Sequence, residues 1–476
     1  MHAQVVVLGG GPGGYAAAFS AADRGLDVAI VDEQGQLGGE CLLRGCIPSK
    51  ALLHVAKVIA ESRHVSEWGV AMTPAEIDID MMRARKEKLI ATLTGGLAQL
   101  AKRRKTRVIV ARGQLQDSKT LRLSGGDPAT YDDETLTFDH LILATGSQPV
   151  VPAALACDSP RVMTSAGALD LPDVPASLLV IGGGYIGLEM ATVYAQLGSA
   201  VSIVEMTDEL LPGVDRDLIK PLAKNLESLC DGRIFLETEV TGLADRGDHI
   251  EVSFAGAKSG SESYARVLVA VGRRPNSAQL GLENTGVVVN ERGFVEVDAQ
   301  RRTAEPNIFA IGDLAGEPML AHKAAHEGKV AAAVIAGETD EFDKLAIPAV
   351  VFTDPEVATA GYSEVQAKAQ GIPYEVALFP WAASGRAQAV GATAGLTKLL
   401  VDPESGQILG AGLVGSGAGE LIAEVVLAIE TGSTAYDLSE TIHPHPTLSE
   451  TVAFAGEVQL GTATEIYKPK RQRTRS

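Results

Sequence analysis

"QVVVLGGGPGGYAAAFSAADRGLDVAIVDE", residues 4–33, decides the fold. A short β-branched run ends in a glycine-rich turn, small helix-forming residues follow, and a second apolar run ends at Asp32 and Glu33. Gly9, Gly11 and Gly14 fit G-x-G-x-x-G, and each glycine has a mechanical reason. Gly9 permits the tight turn, Gly11 lets the backbone approach a pyrophosphate, and Gly14 lets helix and strand pack closely. The helix N-terminus faces the phosphates, and the acid closing the second strand takes ribose hydroxyls.

The pattern recurs in "SLLVIGGGYIGLEMATVYAQLGSAVSIVE", residues 177–205, where Gly182, Gly184 and Gly187, with Tyr185 and Ile186 between them, lead to the acid Glu205. One such turn alone is weak. Two complete units predict an α/β chain with two Rossmann-like dinucleotide-binding domains, one for a bound flavin (FAD) and one for an exchanging nicotinamide. No arginine follows Glu205 immediately, and a carboxylate repels a 2′-phosphate, so the second nucleotide reads as NAD.

Boundaries follow from the strand exits. "LILATGSQPVVPA" runs into Thr145, Gly146 and Ser147 and leaves the first domain, and "LVAVGRRPN", with Gly272, leaves the second. "IFAIGDLAG" offers another buried strand with Asp313 at its carboxyl end, where ligands sit in open α/β sheets. The expected organisation is residues 1–150 for FAD, 151–276 for NAD, 277–346 returning to the first domain, and 347–476 as a C-terminal α+β domain without a phosphate loop.

Composition bounds the partners. A formal charge of −19 argues against nucleic acid and anionic membrane, and no run of about 18 apolar residues exists to span a bilayer. The basic tail "KPKRQRTRS" reads as a solvated, disordered end. The start "MHAQVVVLGGG" enters a strand at once, without a signal segment. Four cysteines in 476 residues do not make a disulfide framework, so a reducing cytoplasm is expected.

Two of those cysteines stand close together in "LGGECLLRGCIPSKAL", residues 37–52. Metal site, staple and redox pair compete. Zinc would need a second pair or histidines at regular spacing, and Cys157 and Cys230 are isolated. In a regular helix, positions five apart rise about 7.5 Å, outside disulfide range. If the sulfurs of Cys41 and Cys46 are to bond, the helix must break, and Gly45 and Pro48 permit that. A bond closing so small a ring suits reduction and reformation better than holding a fold.

"GGECLLRGCIPSKALL" resembles the active-site segment of the flavin-dependent pyridine nucleotide–disulfide oxidoreductases, and the layout matches nearly the whole chain. "MLAHKAAHEG", "FPWAASGRA" and "HPHPTLSE" look most like members acting on dihydrolipoamide, and less like the counterparts acting on glutathione or mercuric ion. The resemblance implies that Cys41 exchanges with substrate and Cys46 lies nearest the flavin. Lys50, paired with Glu189, would stabilise negative charge on reduced flavin. Gly39, Glu40, Gly113, Thr145, Gly146, Ser147, Asp313 and the backbone of Met319, Leu320, Ala321 and His322 would contact FAD. Glu189, Val240 and Gly272 would join the NAD site. No metal is implied.

Thiol–disulfide exchange also needs a base near neutrality. His445 stands between Pro444 and Pro446, and Glu450 follows. A carboxylate on one ring nitrogen would raise the basicity of the other. Thr447 to Glu450 also spells a capping box, T-x-x-E, which would explain Glu450 without chemistry. The resemblance implies the catalytic role for His445 and Glu450, leaves His443 structural, and implies a homodimer in which His445 of one subunit meets the cysteines of the other. It further implies oxidation of dihydrolipoamide on the lipoyl domain of a 2-oxo acid dehydrogenase or glycine cleavage complex. A related reductase with another disulfide substrate, or a mainly structural component of such a complex, is the alternative. Glu40 stands where the family commonly has threonine, and Leu43-Arg44 replaces asparagine–valine. Arg44 is expected to favour thiolate at the pair and Glu40 to oppose it.

Overall fold

β1 (His2–Leu8), α1 (Pro12–Asp23) and β2 (Val28–Val31) form the strand–helix–strand unit expected of the first glycine turn. This computed structural model describes residues 1–73 and 75–467, and the basic tail lies outside the described residues. Beyond β2, α2 (Gly39–Arg44) and α3 (Cys46–His64) are separated by Gly45 alone. α4 (Ile79–Arg103) follows, its N-terminus capped by the Asp78 carboxylate accepting from Met81 N. β3 (Arg107–Ile109), β4 (Arg112–Asp117), β5 (Thr120–Ser124) and β6 (Thr135–Leu143) complete a sheet in the order β3-β2-β1-β6-β5-β4. Its first four strands are parallel and the last two antiparallel. All of β2 is buried, as a strand covered on both faces requires.

β7 (Ser147–Pro149) leads out of this sheet. The second unit comprises β8 (Val162–Met163), α5 (Ser165–Leu169), β9 (Ser177–Ile181), α6 (Tyr185–Leu197), β10 (Ala200–Val204), α7 (Arg216–Leu229) and β11 (Ile234–Phe235). β12 (Thr238–Asp245), β13 (Ile250–Gly256) and β14 (Gly260–Tyr264) then form a separate antiparallel layer, before β15 (Arg266–Val269) returns. The resulting parallel sheet has the order β11-β10-β9-β15-β8. Val240, Val252 and Phe254 of the antiparallel layer pack on Leu179, Ile181 and Val204.

β16 (Arg273–Pro275) pairs antiparallel with β7, so the outgoing and returning connections are bonded to each other. β17 (Ile308–Ala310) then pairs with β6 as the seventh strand of the first sheet. α8 (Ala321–Ile335) lies on α1 so closely that a Cβ at Gly328 would sit 2.6 Å from the Gly13 carbonyl oxygen.

The remaining chain supplies β18 (Ala349–Val351), β19 (Glu356–Gly361), α9 (Glu364–Gln370), β20 (Glu375–Pro380), α10 (Gly385–Ala389), β21 (Leu396–Val401) and β22 (Ile408–Gly415). α11 (Ala418–Glu430), α12 (Ala435–Glu440) and α13 (Glu450–Leu460) follow. The five strands form an antiparallel sheet, β18-β19-β22-β21-β20. Lys398 of β21, fully buried, meets Asp215 and Asp217 at the start of α7 and Glu364 of α9, joining this sheet to the second nucleotide unit. Among the described residues no helix is long and apolar enough to cross a membrane.

Candidate active site

The two glycine turns are near copies. Gly9 and Gly182 sit at φ +110° and +111°, a region side chains rarely enter. A Cβ at Gly14 would lie 1.9 Å from the Gly9 carbonyl oxygen, and one at Gly187 2.2 Å from that of Gly182. No side chain caps α1 or α6, whose N-caps are Gly11 and Gly184, so their first N–H groups are left to phosphate. Gly10 N donates to Asp32 Oδ2 and Gly183 N to Glu205 Oε2, each at 2.7 Å, which fixes both acids at the ribose end of their turns. Thr207 N and Oγ1 hold Glu205 Oε1. Uncapped helix ends, loops without room for side chains and an anchored acid fit FAD at the first turn and NAD(H) at the second.

Other expected contacts converge on a residue the sequence reading left unassigned. Arg273 Nε donates to Ser147 Oγ at 2.8 Å, its Nη2 donates to the Ser147 carbonyl, and its Nη1 lies 3.6 Å from Glu40. Ser147 Oγ in turn donates to the Asp313 carboxylate. Thr145 and Asn276 exchange two hydrogen bonds at 2.9 Å, holding the strand exit of Thr145 and Gly146 against the returning chain. Leu320 is the N-cap of α8, with Met319 before it and Ala321 opening the helix; His322 Nε2 contacts the Pro348 carbonyl. Gly272 has φ +128° and accepts from Val150 N. Gly113 and Val240 are packed: a Cβ at Gly113 would meet Leu8 at 2.8 Å, and the Val240 side chain belongs to the core. Backbone is what these two can offer a nucleotide. Glu33 and Tyr185 are exposed.

The cysteine segment docks on the first turn, with Gly38 N donating to Gly10 O, and Gly39 so close that its Cβ would lie 2.6 Å from Gly11 Cα. Gly45, at φ −137° and ψ −108°, breaks the helix between the two sulfurs. Both cysteines are free thiols here, and that of Cys41 is hydrogen-bonded to that of Cys46. Accepting that bond brings the Cys46 thiol down to about 7, against the opposing effect of burial and with further help from Lys50. Cys41 is pushed up, because it keeps the proton the pair shares.

Lys50 Nζ lies 3.0 and 2.9 Å from the two Glu189 oxygens. Glu189 is almost fully buried and also accepts from Phe352 N at 3.0 Å, while Lys50 lies 4.5 Å from the Phe352 ring centroid. Phe352 belongs to the C-terminal domain's first connection, and no sequence signal pointed to it. The expected influence of Arg44 and Glu40 gives way to that of Lys50 and Glu189: Arg44 is exposed, and Glu40 faces Arg273.

His445 Nδ1 lies 2.8 Å from Glu450 Oε1, and Glu450 Oε2 accepts from Thr447 N at 2.8 Å. One carboxylate therefore orients the ring and makes the reach-back half of a capping box. The other half is missing, since Thr447 Oγ1 donates to the Pro444 carbonyl and Ser449 is the N-cap of α13. A carboxylate on Nδ1 fixes the proton there and leaves Nε2 as a base. His445 is 78 % exposed, and its ring partner within the chain is Glu450. Among the described residues no cluster could hold a metal ion.

The model of the pyridine nucleotide-disulphide oxidoreductases matches residues 3–328, and that of their dimerisation domain residues 347–455. Dihydrolipoyl dehydrogenase of Vibrio cholerae is 49% identical over 99% of this chain and 98% of its own length. That of Geobacillus stearothermophilus is 44% identical over 98% of each chain. Among solved structures, LpdA from Mycobacterium tuberculosis superposes with a TM-score of 0.88 at 26% identity, covering 96% of this chain and 99% of its own. The flavoprotein disulfide reductase RclA from Escherichia coli gives 0.85 at 28% identity, covering 96% and 99%. With its two phosphate turns, its thiol pair and a dimerisation domain, this chain belongs to the pyridine nucleotide–disulfide oxidoreductase family, whose cofactors are FAD and NAD(H).

Proposed function

We propose that this chain oxidises protein-bound dihydrolipoamide to lipoamide with NAD⁺ as acceptor. His445 Nε2 takes a proton from one substrate thiol, and the thiolate attacks Cys41 of an oxidised Cys41–Cys46 pair. Cys46 leaves as a thiolate, which Lys50 stabilises. The second substrate thiol loses its proton to solvent and attacks the substrate sulfur joined to Cys41, releasing the cyclic disulfide and a Cys41 thiol protonated from His445. Bound FAD supplies two-electron transfer from the dithiol to NAD⁺. Gly9, Gly11, Gly14, Asp32 and the residues around Arg273 would hold FAD, and Gly182, Gly184, Gly187 and Glu205 would hold NAD(H).

Residues 1–150 and 277–346 form the FAD domain in this reading, 151–276 the NAD domain, and 347–476 the face that pairs with a second subunit in the cytoplasm. His445, which is exposed, serves the pair of that second subunit. The lipoyl domain of a 2-oxo acid dehydrogenase or glycine cleavage complex presents the substrate.

The observation that carries the reading is the thiol pair itself, set on either side of the Gly45 break and beside the Lys50–Glu189 ion pair. The test is NADH formation from dihydrolipoamide by the purified protein and by Cys46→Ser. The substituted enzyme should retain flavin absorbance and lose turnover. Full activity in Cys46→Ser, or no turnover in the unsubstituted enzyme, contradicts the proposal.

A further inference from the structure

His443 stands two residues before the proposed base and is set differently. Its side chain is 7 % exposed, against 78 % for His445. Nδ1 lies 2.7 Å from the Thr441 carbonyl oxygen, and Nε2 lies 2.7 Å from Glu424 Oε1 on α11. Carbonyl and carboxylate oxygens only accept, and a neutral imidazole has a single N–H. Both contacts are hydrogen bonds only when the His443–Glu424 pair holds an extra proton. Imidazole is more basic than carboxylate, so that proton belongs to the ring.

We infer that His443 is a positioning residue that ties the segment Thr441–Pro446 to Glu424 of α11 and so aims His445. Thr441, the C-cap of α12, contributes the carbonyl to this clamp. α11 contributes the facing charge, Glu424. The nearby charge on α13, Glu450, is committed to His445 and Thr447 N.

This inference rests on His445 being the base, and the experiment separates the two. Dihydrolipoamide–NAD⁺ turnover is measured on the holoenzyme beside NADH oxidation by ferricyanide, an acceptor that needs no thiol deprotonation. His443→Phe should lower kcat/KM for dihydrolipoamide about tenfold or more and leave ferricyanide reduction within about twofold. His443→Gln, whose amide still donates to Glu424, should retain more turnover than His443→Phe. Glu424→Ala, which removes the α11 end of the clamp, should lower lipoamide turnover as His443→Phe does and spare ferricyanide reduction. Lipoamide turnover within about twofold of normal in His443→Phe or Glu424→Ala, or equal loss of both activities in His443→Phe, overturns the inference. Absence of lipoamide turnover in the unsubstituted enzyme removes the base and the clamp together.

Discussion

At the sulfur pair, Lys50 is the cation that favours negative charge on Cys46. Lys50→Met should therefore raise the Cys46 titration from about 7 toward that of an ordinary thiol. Thiolate absorbance of the reduced enzyme, followed against pH, should appear at higher pH in the variant. An unmoved titration would show that Lys50 does not act on the pair. The same change strands Glu189, buried beside Phe352, and should cost about 3 kcal/mol of stability, toward the lower end for a buried pair because Lys50 is partly exposed. The close pair Cys41 and Cys46 stands out in the sequence by its spacing, whereas the pairing of Lys50 with Glu189 came from the family resemblance and is seen here as an ion pair. Arg273 and Phe352 were readable in neither way. Their positions near the site come from chain crossings, β16 against β7 and the connection after β18, which no local pattern announces. Arg273, distant in sequence, stands opposite Glu40, a facing charge that the neighbours of Glu40 along the chain do not announce.

At the scale of elements, the glycine turns are where a single methyl group tells the two nucleotides apart. Gly187→Ala places its Cβ 2.2 Å from the Gly182 carbonyl oxygen, and Gly14→Ala places one 1.9 Å from that of Gly9. Each must push α6 or α1 off its strand. Gly187→Ala should raise the KM for NAD⁺ about tenfold or more while the protein stays yellow, whereas Gly14→Ala should be purified with little flavin. Steady-state kinetics and flavin absorbance check both, and the opposite pattern would exchange the two assignments. The strand–helix–strand units were legible because periodicity and glycine spacing are local properties. The break at Gly45 was legible too, since two sulfurs within bonding reach demand it. The β12–β14 layer, by contrast, covers the second sheet through packing between distant segments, and nothing in its short strands specifies that partner.

At the scale of the molecule, the thiols lie between the first glycine turn and α3, and the base lies in the domain that closes the chain. The Cys41–Cys46 segment docks on the FAD domain, and His445, with Glu450 fixed at the head of α13, points its free nitrogen to solvent. The dimerisation domain matched over residues 347–455 contains that histidine. A twofold pair built on this domain would present each base to the other subunit's sulfurs, giving two equivalent composite sites. The direct measurement uses two damaged chains, one carrying Cys46→Ser and the other His445→Gln, each inactive toward dihydrolipoamide as a homodimer. Co-expressed with different tags and purified as the mixed dimer, they concentrate both defects in one site and leave the other intact, so about half the normal turnover per dimer should return. A mixed dimer as inactive as its parents would contradict the account, since each chain would then be using its own histidine or none.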